Sequence, residues 1–257
     1  MRNIFCIFKR ELLSFFVSPI AYFVITGFVV IAGYFFFNLL AYFNYVLNLM
    51  AANPYRGAGP MPNLNQLVIG QMFQSMMFVL ILVVPLLTMR LIAEERRSGT
   101  FELLVTSPVS VGEIVLGKFL GVVFVLLLMC GLTFLLPALL LYYGNPEIGP
   151  MLTGLLGLVL FSSAFASIGM AVSSFTENQI VAGVSSLMVL LILFIIDAPA
   201  ESLGGVSADV LTYLSPVRQV DDLLRGVVTS KALVYFGSLT LLGLFLSQRA
   251  LDAYRWR

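Results

Sequence analysis

Apolar residues run through this chain in long unbroken stretches, not in the short alternations or one-sided periods of a water-soluble fold. Six stretches approach the roughly 20 residues that a helix needs to cross a hydrocarbon layer about 30 Å thick. They cover 20–40, 72–89, 119–143, 151–172, 180–196 and 232–246. In lipid every backbone N–H and C=O must bond within its own segment, so each predicts an α-helix. The last two are short, and the sixth is expected to run on to about Leu251, with Arg249 reaching back to the headgroups.

Residues 1–17 have a different rhythm. Ile4, Phe5, Phe8, Leu12, Phe15 and Phe16 share one arc of a helix, opposite Arg2, Asn3, Lys9 and Arg10. This predicts an interfacial helix lying on the membrane, ended by Ser18-Pro19. The connection 41–71 carries Asn53-Pro54, Gly57, Gly59-Pro60 and Pro62, so its middle is expected to be irregular. Over 197–231, Val210, Leu211, Leu214, Val217, Val220, Leu223 and Leu224 recur at helical spacing, predicting short re-entrant helices before the last span; a soluble loop would leave those side chains wet.

Composition agrees: 60% of residues are hydrophobic and 11% charged, against about 25% charged in soluble domains. A single transmembrane domain over 1–257 follows. The net charge of +1 implies no nucleic acid. Its distribution gives orientation, because basic residues are retained on the cytoplasmic side. Arg2, Lys9, Arg10, Arg90, Arg96, Arg97, Lys118, Arg249, Arg255 and Arg257 fall on one side, and Arg56, Arg218, Arg225 and Lys231 on the other, so both termini are expected inside. No small-x-small motif closes the first apolar stretch, which is expected to be retained. Cys6 and Cys130 lie in contexts that make a disulfide between them implausible.

Candidate chemistry is sparse. With no histidine, serine–histidine, cysteine–histidine and HExxH chemistry is excluded. Asp197, at the outer end of the fifth span, reads as a solvated acid. Gly112 to Lys118 has the GxxxxGK spacing of a phosphate loop but is followed by Phe119 where a hydroxyl would hold magnesium, so no nucleotide site is expected. Lys118 instead reads as the cytoplasmic boundary of the third span, and Gly117 with Gly121 as a small-residue face for helix packing. Ser163, Ser167 and Gly169 form such a face in the fourth span; static packing and a mobile interface both account for it. Pro85 and Pro137 are positioned to kink their spans.

The connection from Arg90 to Lys118, whose residues 90–112 are expected to form a cytoplasmic coupling region, is the most informative. It is expected to continue the second span as a charged helix through Glu94, Glu95, Arg96 and Arg97 and to end at Gly99. Phe101, Leu104 and Val105 would then line one side of a short helix offering an apolar face to a soluble partner; a solvated charged loop is the plainer reading. Within it, Glu94, Glu95, Gly99, Thr100, Glu102, Leu103, Leu104, Ser107, Pro108, Glu113, Gly117 and Lys118 resemble the coupling motif of ABC-2 type transporter permeases. Lys9-Arg10-Glu11-Leu12, Thr176-Glu177-Asn178-Gln179, Leu214-Ser215-Pro216 and Arg225-Gly226-Val227 resemble the branch related to gliding-motility permeases. Gln219-Val220 departs from it, since relatives commonly carry a histidine-aromatic pair there.

The resemblance implies an all-α integral membrane fold of six spans, of ABC-2 exporter type, with an N-terminal interfacial helix, a cytoplasmic coupling helix and re-entrant helices before the last span. It implies a permease of the bacterial inner membrane that binds no cofactor and performs no catalysis. Two ABC ATPase subunits carrying ATP and Mg, and a second permease, identical or related, are the implied partners; an extracytoplasmic accessory protein is admitted. Glu94, Glu95, Gly99, Thr100, Phe101, Glu102, Leu104 and Val105 would couple to the ATPase. Relatives move cargo too diverse to name one here. A secondary carrier or channel would need central ionisable groups or broken helices, of which only the prolines are a sign, and a non-transporting anchor is a third reading.

Overall fold

In the computed structural model, which describes residues 2–52, 63–99, 109–144, 146–200 and 205–255, all regular structure is helical. Helix α1 (Arg2–Val17) ends at the Ser18 bend, and α2 (Pro19–Ala52) starts on the proline, whose missing N–H costs nothing in a first turn. A π-helical stretch (Asn65–Gly70) leads into α3 (Gln71–Thr88), followed by α4 (Ala93–Arg97), α5 (Val111–Tyr143), α6 (Ile148–Ser174) and α7 (Gln179–Ile195). Short helices α8 (Gly205–Leu214) and α9 (Pro216–Leu224) precede α10 (Ser230–Arg255).

Several boundaries differ from the hydropathy reading. Helix α2 has 34 residues and passes the expected end at 40, because the next strong breaker in the sequence is Pro54. Helix α5 begins at Val111, before the expected 119, because Ser110 and Glu113 form a capping box: Glu113 N–H donates to Ser110 Oγ at 3.3 Å and Ser110 N–H to Glu113 Oε2 at 3.0 Å. The GxxxxGK pattern therefore lies in a continuous helix whose N–H groups are bonded internally from Glu113 onward. Among the described residues, five helical stretches are long and apolar enough to cross a membrane, namely α2, Asn65–Arg97, α5, α6 and α10; α7, with 17 residues, falls short of that length.

Helix α6 is the axis of the bundle, touching α3, α5, α7, α9 and α10. Without a hydrophobic drive between helices in lipid, close approach needs small residues, and α6 uses them on several sides. A Cβ on Gly169 would lie 2.3 Å from Thr88 Oγ1 of α3, and one on Gly154 2.6 Å from the Phe73 ring. On the opposite side, Gly243 of α10 sits so close to Ser167 that a Cβ there would be 2.7 Å from the Ser167 carbonyl carbon. Ser167 is fully buried and donates to Ala164 O, whereas Ser163 is only partly covered.

The face of α1 that packs is rotated from the apolar arc. Ile7, Glu11 and Phe15 are its buried residues, and Phe5 is left 64% exposed. The glycines of α5 and a lysine between them draw in that edge.

Candidate functional site

Gly117 and Gly121 stand one turn apart on α5, facing α1. A Cβ at Gly117 would meet Ile7 Cβ at 2.8 Å, and one at Gly121 would meet Glu11 Cβ at 2.9 Å. The α1 backbone can approach only because both side chains are missing. That approach carries Glu11 to Lys118, whose Nζ lies 2.5 Å from Glu11 Oε1 and 2.9 Å from Glu95 Oε1 of α4. Arg10 binds the same Glu95 oxygen from outside. Two acids and two bases thus form a balanced chain through α1, α5 and α4. Lys118, expected as a boundary lysine, is 2% exposed and is the buried centre of a charge cluster. Beside it, the Arg90 guanidinium lies 4.3 Å above the Phe15 ring.

Helix α4 is not a direct continuation of α3. Pro85 withholds a backbone donor in the last turns of α3, and Met89 to Ile92 form a turn. Ser173 of α6 splices the break: its hydroxyl donates to Met89 O at 3.0 Å and accepts from Ala93 N–H at 3.2 Å. The expected smooth helical continuation is therefore corrected to two helices joined by a turn pinned to α6. At its far end, Ser98 N–H returns to Glu94 O, and Gly99 takes a φ of 71°, a left-handed conformation that ends the helix.

Successive side chains of α4 reach opposite ways. Glu95 points into the α1–α5 cluster. Arg96 donates to Ser174 O at 2.7 Å and pairs with Glu177 at 3.4 Å in the turn between α6 and α7, and its guanidinium lies 4.3 Å above the Tyr254 ring of α10. The same turn is built by Asn178, whose Oδ1 caps α7 by accepting from Ile180 N–H at 2.9 Å. Glu94 and Arg97 are exposed, and among the described residues Glu94 makes no ion pair. Thr100, Phe101, Glu102, Leu104 and Val105 lie outside the described residues.

At the other end of the bundle, Asp197 is not a solvated acid: Arg218 Nε donates to its Oδ2 at 2.8 Å, tying the turn after α7 to α9. Ser215 caps α9, and Tyr235 of α10 donates its hydroxyl to Leu214 O at 2.6 Å, so α8 and α9 are anchored to the last long helix.

A five-residue charged helix is thus held from both sides at one end of an apolar helix bundle. The family model for the ABC-2 family transporter protein matches residues 40–216. The chain belongs to the ABC-2 family. No curated protein matches it. As an ABC-2 family member it is a multi-pass membrane protein of the kind that forms the membrane component of ABC transporters. The matched segment contains Glu95, Arg96 and Lys118, whereas Glu11 and Tyr254 lie in flanking helices beyond it. The junction thus fastens both flanks onto the ABC-2 segment.

Sequence reasoning singled out Glu95 and the two glycines, but it used Glu11 only in the family resemblance and named no partner for Lys118. A signal was there: Glu11 is spaced i+4 from Ile7 and i−4 from Phe15. An acid on the packing edge of an amphipathic helix demands a buried cation, and Lys118, next to Gly117, answers it.

Proposed function

We propose that the chain is the permease subunit of an ATP-binding cassette exporter in the bacterial inner membrane. It forms half of a pathway with a second permease, identical or related, and two separate ATPase subunits carry ATP and Mg. Its six spans are the five long stretches and α7, whose 17 residues meet the lower limit of about 17 for a span. The end that carries Arg10, Glu95, Arg96 and Lys118 is cytoplasmic, in keeping with the excess of basic residues there. Helix α1 lies along that surface. The branch akin to gliding-motility permeases is part of this reading, supported by the likeness of Lys9 to Leu12 and Thr176 to Gln179 to that branch.

The observation that carries this reading is the double attachment of α4. Force applied to the segment after Gly99 reaches α4 first. Glu95 hands it to α1 and α5, and Arg96 hands it to the α6–α7 turn and α10, so both sides of the bundle move together. Glu94, exposed beside these anchors, is left for the ATPase.

The two glutamates should therefore fail differently. With the ATPase copurified, Glu94→Ala should weaken its attachment and leave the permease fold intact. Glu95→Ala should keep the ATPase attached but lose permease-stimulated ATP hydrolysis, read in reconstituted vesicles. Normal stimulation in Glu95→Ala would rule out α4 as the transmitter.

A further inference from the structure

Beside the charged junction, α1 and α5 leave an apolar groove of about 370 Å³ between them, within the range of roughly 300–1,000 Å³ typical of small-ligand sites. Leu120, Val123, Phe124 and Leu127 follow one another at i, i+3, i+4 and i+7 along its α5 wall, a stripe of two turns or about 10 Å. The α1 wall is aromatic: Phe8 meets Phe124 edge-on, with ring centroids 6.0 Å apart, and Phe5 stands 6.2 Å from Phe8. The stripe starts two residues past Lys118, so the groove opens where the charge cluster gives way to the apolar run that begins at Phe119.

The polar residues of α1 divide into two sets. Asn3 reaches Glu113 at 3.4 Å, Arg10 pairs with Glu95, and Glu11 pairs with Lys118, so all three are taken up by the protein. Arg2 and Lys9 are exposed, and among the described residues neither forms an ion pair. With Phe5 they occupy positions i, i+3 and i+7, which share one edge of a helix. The exposed rim of the groove therefore carries a cation one turn to either side of Phe5.

We propose that this groove is a binding site for one anionic phospholipid, with an acyl chain laid along Leu120 to Leu127 and the headgroup held by Arg2 and Lys9. The inference takes from the reading above only that α1 lies at the membrane surface; it needs neither an ATPase nor a cargo. Walls without a polar side chain suit hydrocarbon, and two cations without an acidic partner suit a headgroup of net negative charge. A second copy of the chain is disfavoured. A two-fold contact through this edge would bring Arg2 and Lys9 of one chain toward the same residues of the other, like charges facing like.

Native mass spectrometry of the purified full chain tests this with phosphatidylglycerol and with phosphatidylcholine of matched acyl chains, whose choline cancels the phosphate charge. The native chain should retain phosphatidylglycerol about thirtyfold more strongly, roughly fivefold for each basic residue beside an anionic headgroup. Arg2→Gln with Lys9→Gln should bring phosphatidylglycerol down to the phosphatidylcholine level; both side chains are exposed, so the variant keeps its fold. Leu127→Trp, which fills the groove, should lower retention of both lipids. Arg249→Gln, which removes an exposed basic residue of α10, should change neither. Equal retention of the two lipids by the native chain, or undiminished retention by Leu127→Trp, overturns the proposal. So does a loss in Arg249→Gln as large as in the double glutamine variant, which would mean diffuse charge attraction and no site. A Leu127→Trp variant that loses a dimer while both lipids stay bound would give the groove to a second copy and overturn it as well. A native chain that shows the expected lipid preference but stimulates no ATPase would remove the permease reading and leave this site.

Discussion

Lys118 is the residue on which the charged junction turns. Its ammonium, sealed from water, holds Glu11 and Glu95 together, and removing one member of a buried charge set leaves the others uncompensated at a cost of about 3–5 kcal/mol. Lys118→Met should therefore lower the melting temperature in detergent well below that of the native chain. Glu11→Leu added to Lys118→Met leaves Arg10 and Glu95 as a neutral pair and should recover most of the loss. A double variant no better than the single one would mean that geometry, not charge balance, dominates.

Asp221 gives the corresponding prediction at the other end. Burial pushes its carboxyl above the ordinary aspartate range; Arg218 and Arg225 oppose that shift, and Asp222 and Asp197 add to it. The folded chain then holds this proton more tightly than the unfolded chain does. Above the raised value both states are ionised and folding bears the full cost of the buried charge. As pH falls toward the ordinary value, the folded state takes up the proton first and the cost disappears. Asp221→Asn should thus raise the melting temperature most at neutral pH, with the gain shrinking as the solution is acidified. A gain constant with pH would assign the effect to something other than this carboxyl.

At the scale of elements, helices were legible wherever a bilayer alone decides them. The apolar cores of α2, α3, α5, α6 and α10 are unbroken runs, and the lipid-phase rule that backbone groups bond locally makes any such run helical. Their ends were less legible, because caps and breakers outside the apolar run set them: Ser110 and Glu113 extend α5, and the distance to Pro54 extends α2. The break at 89–92 could not be read locally, since the hydroxyl that stabilises it comes from Ser173, distant in sequence. The charge cluster was half legible for the same reason. Glu95 sits in an evident motif, but its role depends on how α1 docks.

That docking depends on two absent side chains. Gly117→Val puts methyl groups where Ile7 Cβ already lies within 2.8 Å of a bare Cβ position, and Ile4 O stands close behind. Helix α1 should be displaced while the rest of α5 keeps its helix, since valine is a better helix former than glycine. Limited proteolysis should then cut within residues 2–17 much faster than in the native chain. Resistance equal to the native chain's would show that α1 is held elsewhere, with Asn3 and Glu113, 3.4 Å apart, the first contact to suspect.

For the whole molecule, the junction has consequence only if its two ends face different compartments. The polar face of α1 carries Cys6, exposed among Arg2, Lys9 and Arg10, whereas Cys130 is sealed inside α5. The native chain therefore holds one reactive probe at the junction's end. At the opposite end Asp209 of α8 is exposed, so Asp209→Cys supplies a second. In intact cells a membrane-impermeant maleimide should label Asp209→Cys and spare Cys6, and in inverted vesicles the pattern should reverse. Labelling of Cys6 from outside would put α4 on the wrong side of the membrane for any ATPase, and the charged junction would then have to be read as a structural clamp. Labelling of both sites from one side would mean an odd number of crossings between α1 and α8 is wrong, which removes α7 or one of the long helices from the membrane. The expected pattern requires an odd number of crossings between α1 and α8, which α2, α3, α5, α6 and α7 together supply. It thus tests the shortest helix and the orientation of the junction in one measurement.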